Sequence, residues 1–450
     1  MTYPQTIQFL YGLRWFGAKF GLENTFKLAA LAGNPQEKLR FIHVAGTNGK
    51  GSTCAMLESI YRAAGLRVGM FTSPHLVSFR ERMQVNRRWI SKSDVARLVG
   101  DLRSRADAGP ARAGEGGVTV PAIARPPALG RRDACPTFFE FVTVLALKYF
   151  AEQKCELVVW ETGLGGRLDA TNIVTPLASV ITNIAFDHEQ WLGNTLEKIA
   201  FEKAGIIKPN VPILTAADAP EALAVIKDVA REKHSPLSCI DPLRSRHSTF
   251  DSPLLGAHQK INAALALATV DVLQPRIPVG TQAIRAGLGS VNWPGRLQLI
   301  QSPDGRTILL DGAHNAAGAA ALRAALEKDF AGVRPMIIFG ALADKKWRDI
   351  CKILSPLAAG VFTVRVASDR TAAAGDLAAA FRAARPGLEV VAAESLADAL
   401  NACKHKPFIV ITGSLYLVGE ALERLGFSPA GAGERGLNEW SAPKIPPISH

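Results

Sequence analysis

The sequence predicts an α/β protein of two unequal domains, each organised around a parallel sheet with covering helices. Three observations predict it. Short apolar, strand-like runs alternate with helix-like stretches along most of the chain. A glycine-rich turn carrying a lysine, HVAGTNGKGSTCAML (43–57), joins the first run to a helix. The alternation breaks near residue 290, at GLGSVNWPGRLQLI (287–300), and then begins again.

The elements can be justified in order. RFIHVAG, RVGMFTS, LVVWETG, ASVITNIAF and VPILTAA read as strands of the first sheet. The stretch 101–135 contains DAGPARAGEGGVTVPAIARPPALG, rich in Gly, Pro and Ala, and reads as a surface insertion or loop. TFFEFVTVLALKYF then resumes the pattern as an apolar helix. Beyond the break, RTILLDG, RPMIIFG, GVFTVRV, LEVVAAE and PFIVITG read as strands between Ala-rich helices. The expected division is 1–288, 289–427 and a Gly/Pro-rich tail, 428–450, expected to be disordered.

Composition excludes several classes. With 450 residues and 48% hydrophobic content the chain can bury sizeable cores. It has no apolar run long enough to span a membrane, and its first residues lack a signal-peptide pattern. The six cysteines are scattered without a C-x-x-C pair, which argues against zinc or a disulfide framework and fits a reducing cytoplasm. The net charge of +12 is spread out, with no basic run interleaved with aromatics. It suits a small anionic ligand as well as nucleic acid, and solubility alone would also account for it. No nucleic-acid or membrane partner is expected.

The glycine-rich turn departs from the common G-x-x-x-x-G-K-[ST] loop. Val44 stands where the first Gly is usual, and Gly51 where the metal-binding hydroxyl is usual. STCAMLESIYRAAG still suits a helix, with Leu57, Tyr61 and Ala64 at helical spacing and Gly65 able to end it. Backbone N–H groups of the turn and the helix N-terminus converge on one point, which makes an anion site. Gly46, Gly49 and Gly51 allow close backbone approach, and Lys50 adds charge for the β and γ phosphates. Ser52 and Thr53 offer displaced hydroxyls. An ordinary strand-to-helix turn with an exposed lysine is the bland alternative.

With Gly51 in place, a magnesium ion needs oxygen ligands from neighbouring strand ends. Ser73 follows one strand, Glu161 ends another, and Asp187 and His188 follow a third. A helix cap or a structural histidine is the alternative reading of each. GLGGR lacks the G-x-G-x-x-G spacing and is not a dinucleotide fingerprint.

AGTNGKGST, FTSPHL, FFEF, ETGLGGRLDATN, ITNIAFDH, EKAGIIK, WPGR, LDGAHN and ITGSLYLVGE occur in this order. The ordered set, over about residues 20–420, closely resembles the folylpolyglutamate synthase/dihydrofolate synthase family of the Mur ligase superfamily. The resemblance implies a P-loop-containing parallel-sheet N-terminal ATPase domain with a smaller Rossmann-like α/β C-terminal domain. It implies an ATP-dependent amide ligase: a folate or dihydropteroate carboxylate takes the γ-phosphoryl of ATP, and the amine of L-glutamate attacks the acyl phosphate. Carried over by motif, it places magnesium on Ser73, Glu161 and His188. It places ATP on Thr47, Asn48, Gly49, Lys50, Gly51, Ser52, Asn262, Arg296 and Asp311, with His314 and Ser414 toward nucleotide or glutamate. Thr137, Phe138, Phe139 and Glu140, and Leu168, Asp169 and Ala170, fall on the pterin side, with Gly21–Asn24 a weaker match. Lys203 matches a lysine carbamylated in the family; a neutral, desolvated lysine can add carbon dioxide. Lys50, His188 and Lys203 are the expected catalytic residues, and a monomer is expected.

The rivals explain less. A peptidoglycan-building Mur ligase carries a separate domain before the P-loop, and 45 residues before Gly46 are too few for one. A non-enzymatic nucleotide switch or transporter ATPase leaves WPGR and LDGAHN unexplained.

Overall fold

The computed structural model describes residues 1–14, 21–108, 136–240, 251–302, 305–428 and 434–438. The first sheet holds β1 (Phe41–Ala45), β2 (Val68–Phe71), β3 (Met83–Val85), β4 (Arg88–Trp89), β5 (Leu157–Glu161), β6 (Ala178–Ile181), β7 (Ile213–Thr215) and β8 (Leu237–Cys239). Their order is β4-β3-β2-β5-β1-β6-β7-β8. The six strands from β2 to β8 run parallel, and β3 and β4 add an antiparallel edge. All five expected runs of this domain are strands; β3, β4 and β8 are too short and too mixed to show a period.

Every residue of β1 and β5 is buried, because helices cover both faces of the sheet. Alternation assigns the side chains. Phe41, Phe71, Val158 and Trp160 join one core, with the helices Tyr3–Leu13, Glu23–Leu31 and Phe138–Glu152. Ile42, Val44, Val68, Met70, Leu157 and Val159 join the other, with the helices Lys50–Ala63, Ala257–Leu273 and Thr281–Gly289. Gly65, at φ +92°, ends the helix Lys50–Ala63 as its position suggested.

The second sheet holds β9 (Gln298–Gln301), β10 (Thr307–Leu310), β11 (Met336–Phe339), β12 (Gly360–Thr363), β13 (Val390–Ala392) and β14 (Phe408–Thr412), in the order β13-β12-β11-β14-β10-β9. Only β9 is antiparallel. Both sheets are therefore mixed at an edge and not purely parallel.

Two expectations need correction. Residues 101–108 belong to the helix Lys92–Ala108, where Leu98 and Leu102 are buried one helical turn apart; residues 109–135 lie outside the described residues. Within the tail, Glu434–Asn438 forms a 3-10 turn and Glu434 is buried. Ser78 and Phe79 satisfy its carboxylate, so a polar sequence does not preclude order here. The rest of the tail beyond Ser428 lies outside the described residues. Among the described residues no helix is long and apolar enough to cross a membrane.

Candidate active site

β1 sits between β5 and β6, so the turn after it opens among the C-terminal ends of the first sheet. Thr47 N–H donates to Asn183 O (2.8 Å), Asn48 N–H to the Asn183 side-chain oxygen (2.8 Å), and Thr182 Oγ1–H to Asn48 O (2.6 Å). These bonds fix the loop against the end of β6. A Cβ on Gly46 would fall 1.8 Å from Thr182 Oγ1, so only glycine allows this approach.

Gly46–Ser52 form one wall of a cavity of about 360 Å³. Ser73, Arg82, Thr137–Phe139, Glu161 and Gly163–Gly165 form a second, and Asn262 with its neighbours a third. Arg296, Asp311–His314, Lys345 and Gly413–Tyr416 close it from the second domain. Most of the expected residues therefore meet in one place.

Only part of the pterin-side set lies on the cavity wall. Thr137 caps the helix Phe138–Glu152, and Glu140 returns its carboxylate to Thr137 N–H at 2.6 Å. This capping box is worth about 1 kcal/mol, and it turns Glu140 away from the cavity. Asp169 likewise accepts from Leu164 N–H and Thr171 N–H. Leu168, Asp169 and Ala170 are absent from the lining, and Gly163–Gly165 take their place. Thr53 is buried outside the cavity, and its hydroxyl has no hydrogen-bond partner among the described residues.

Buried charge dominates the electrostatics. Glu161 ends β5 and accepts Ser73 N–H at 3.0 Å. Burial pushes its carboxyl up to about 7, against the opposing charges of Lys50, Arg296 and Arg82. Lys50 Nζ donates to Gly46 O and Thr47 O (3.1 and 3.2 Å). Lys203 Nζ donates to Gly46 O (2.8 Å), and burial, helped by Lys50, brings its amine down to about 7.

His188 has φ +53°, and burial together with Lys345 holds its ring down at about 3, in the neutral form. Its neighbour Asp187 has its oxygens committed: Lys345 Nζ lies at 2.5 Å, Asn315 Nδ2 at 3.1 Å, and His188 N–H at 2.9 Å. His314 Nε2 is 3.4 Å away, and these donors hold the Asp187 carboxyl far below the usual range despite its burial. Asp187 is thus a hub between the domains. Asn315 also caps the helix Ala316–Asp329 and exchanges amide hydrogen bonds with Asn48 (3.1 and 3.3 Å).

Asp311 accepts Leu297 N–H (3.0 Å) and Ala313 N–H (2.9 Å), which orients the backbone on either side of Arg296 and His314. His314 Nδ1–H donates to Gly312 O at 2.8 Å. Ser414 caps the helix Leu415–Arg424, whose N-terminus opens on the cavity. The sequence reading missed Arg82, His258, Asn315 and Lys345. Of these, Asn315 was legible within LDGAHN, while the others had no motif of their own.

Among the described residues no three His, Cys, Asp or Glu side chains gather closely enough to hold a metal by themselves. Magnesium needs only one or two protein ligands and keeps waters. The desolvated Glu161 carboxylate supplies such hard oxygens, with Ser73 held next to it through its N–H, and a cation would relieve the buried charge.

Comparison with known proteins agrees with this arrangement. Residues 295–415 match the family model described as Mur ligase, glutamate ligase domain. The chain is 35% identical over 452 residues to a Bacillus subtilis dihydrofolate synthase/folylpolyglutamate synthase, covering 94% of this chain and 99% of that one. It is 32% identical to a Lacticaseibacillus casei folylpolyglutamate synthase, with 94% and 99% covered. Among solved structures, Mycobacterium tuberculosis folylpolyglutamate synthase complexed with ADP superposes with a TM-score of 0.83 at 29% identity, over 95% of this chain and 100% of that one. Escherichia coli FolC in complex with DHPP and ADP gives 0.80 at 29%, over 95% and 98%. The two-sheet fold, the loop after β1 and the closing wall of the second domain occur here in a chain matched nearly end to end, and the protein belongs to the folylpolyglutamate synthase/dihydrofolate synthase family of Mur-type ligases.

Proposed function

We propose that the protein joins L-glutamate to the carboxylate of dihydropteroate or a folate, using ATP and releasing ADP and phosphate. The observation that carries this reading is the shared cavity, with Gly46–Ser52 on one wall and Arg296, Asp311 and Ser414 on another. Phosphoryl transfer needs positioning and charge neutralisation. The loop N–H groups and Lys50 hold the β and γ phosphates, Asn262 lies beside the loop for the nucleoside, and Arg296 adds charge from the second domain. Glu161, Ser73 and His188 would hold magnesium, which when bound neutralises charge on the phosphate oxygens. The acceptor lies along Phe138, Phe139 and Arg82, with its carboxylate toward Lys50. The glutamate carboxylate meets His314 and the helix N-terminus at Ser414. Closure across the Asn48–Asn315 pair excludes water from the acyl phosphate. Lys203, buried and readily neutral, is the carbamylation site. The free cysteines of the described residues fit a cytoplasmic protein, and we take it to act as a monomer.

Parallel turnover assays with glutamate and either dihydropteroate or a reduced folate test the reading. Phosphate release should require both acceptor and glutamate. Release with ATP alone, or stimulated by DNA, would overturn it.

A further inference from the structure

We propose that the turn Glu434–Asn438 is a positioning strap for the acceptor side of the cavity, acting on Arg82 through His75. The Glu434 carboxylate accepts Ser78 Oγ–H (2.9 Å) and Phe79 N–H (2.7 Å). Its main-chain oxygen accepts His75 Nε2–H at 2.9 Å. That bond fixes the tautomer, leaving His75 Nδ1 to accept Arg82 Nε–H, also at 2.9 Å. Both His75 and Arg82 are buried. The Arg82 guanidinium lies 5.5 Å over the Phe138 ring and lines the cavity. A continuous relay therefore runs from the turn to the cavity wall.

The strap is anchored on three sides. Glu81 accepts the N–H groups of Leu76, Val77 and Ser78 (2.8, 2.9 and 2.6 Å), so two carboxylates organise one loop. Arg435 pairs with Glu423 on the helix Leu415–Arg424 of the second domain. On that helix a Cβ on Gly419 would fall 2.2 Å from Leu76 O, so loop, helix and turn meet there. Gly436 meets the Tyr11 hydroxyl of the N-terminal helix, where a Cβ would come within 1.9 Å. One short turn thus holds the first domain, the second domain and the loop that carries both Ser73 and Arg82. The relay reaches the acceptor wall and leaves Gly46–Ser52 untouched.

The consequence for catalysis rests on the ligase reading; the consequence for the loop does not. In the full-length Glu434→Ala protein, hydrogen–deuterium exchange should quicken across residues 75–82, and unchanged exchange there would overturn the strap whatever the activity. In turnover, Glu434→Ala should raise the acceptor KM about tenfold, as for loss of a buried charge-assisted hydrogen bond, and the KM for ATP by clearly less, since Ser73 on the same loop is also held by Glu161. Glu434→Gln, which keeps an acceptor oxygen, should recover part of this. The effects of Glu434→Ala and His75→Ala should not multiply in the double variant, since both act through Arg82. Multiplying effects, or an equal change in all substrate KM values, would refute action through His75.

Discussion

The Trp293 indole occupies the space that a side chain on Gly51 would need. A Cβ on Gly51 would fall 2.9 Å from Trp293 Cζ2 and Nε1. Gly51 stands at the place of the usual P-loop hydroxyl, and Trp293 belongs to the connection between the sheets. The substitution that makes the loop look defective in sequence is what lets the connection seat against it. Arg87 holds the other side of this seat, with its guanidinium 5.5 Å over the indole and bonded to Asn292 O.

Restoring the usual residue should therefore harm the protein. Gly51→Ser overpacks the contact, a strain of about 1–3 kcal/mol, and should raise the ATP KM. Trp293→Leu in the same chain should recover much of the loss relative to Trp293→Leu alone. A Gly51→Ser protein with normal ATP kinetics would show that the indole yields freely.

Metal dependence should follow Glu161 and not the loop hydroxyls. Glu161→Gln removes the buried carboxylate and should abolish turnover or raise the magnesium requirement at least tenfold, the scale of one lost charged contact. Thr53→Ala should do far less, because its hydroxyl lies outside the cavity. Magnesium titrations of both variants decide the matter, and equal damage would contradict this division.

Lys203 gives a pH dependence of defined sign. Its amine is lowered from 10.5 to about 7, so the folded protein binds this proton more weakly than the unfolded chain. Burying the charged form opposes folding at low pH, and that opposition fades as pH rises from about 7 toward 10.5. Carbon dioxide adds only to the neutral amine. The carbamate signal with 13C-bicarbonate should therefore grow between about pH 6 and 8 and be missing in Lys203→Arg. A pH-independent spectrum identical in the two proteins would refute the carbamate.

Asn315 separates local stability from closure. Asn315→Ala loses the helix cap and should cost about 1 kcal/mol, read as a lower Tm. Asn315→Asp keeps a capping side chain but sets a carboxylate against Asp187, 3.1 Å from the present amide. It should keep most of the Tm yet lose more turnover than the alanine variant. The reverse order would mean that the cap, not the contact between domains, sets activity.

Much of this molecule was legible in the sequence because much of it is local. Strand runs such as FIHVA and LVVWE carry their own burial signal. The order strand, glycine-rich turn, lysine, helix places Lys50, and Glu161 and Ser73 sit at strand ends that topology brings beside it. The motifs WPGR and LDGAHN located the second wall. Only the tertiary structure decided which of these groups are available. Asp187 is consumed by Lys345, Asn315 and His314; Glu140 and Asp169 turn inward as caps; Gly51 is explained by Trp293; and Glu434 finds its donors on a distant loop. For Asp187, Gly51 and Glu434 the partners are remote in sequence, and for Glu140 and Asp169 they are near neighbours that outcompete the cavity for the same carboxylate. Sequence spacing determines which face of an element a side chain occupies, and packing alone determines what meets it there.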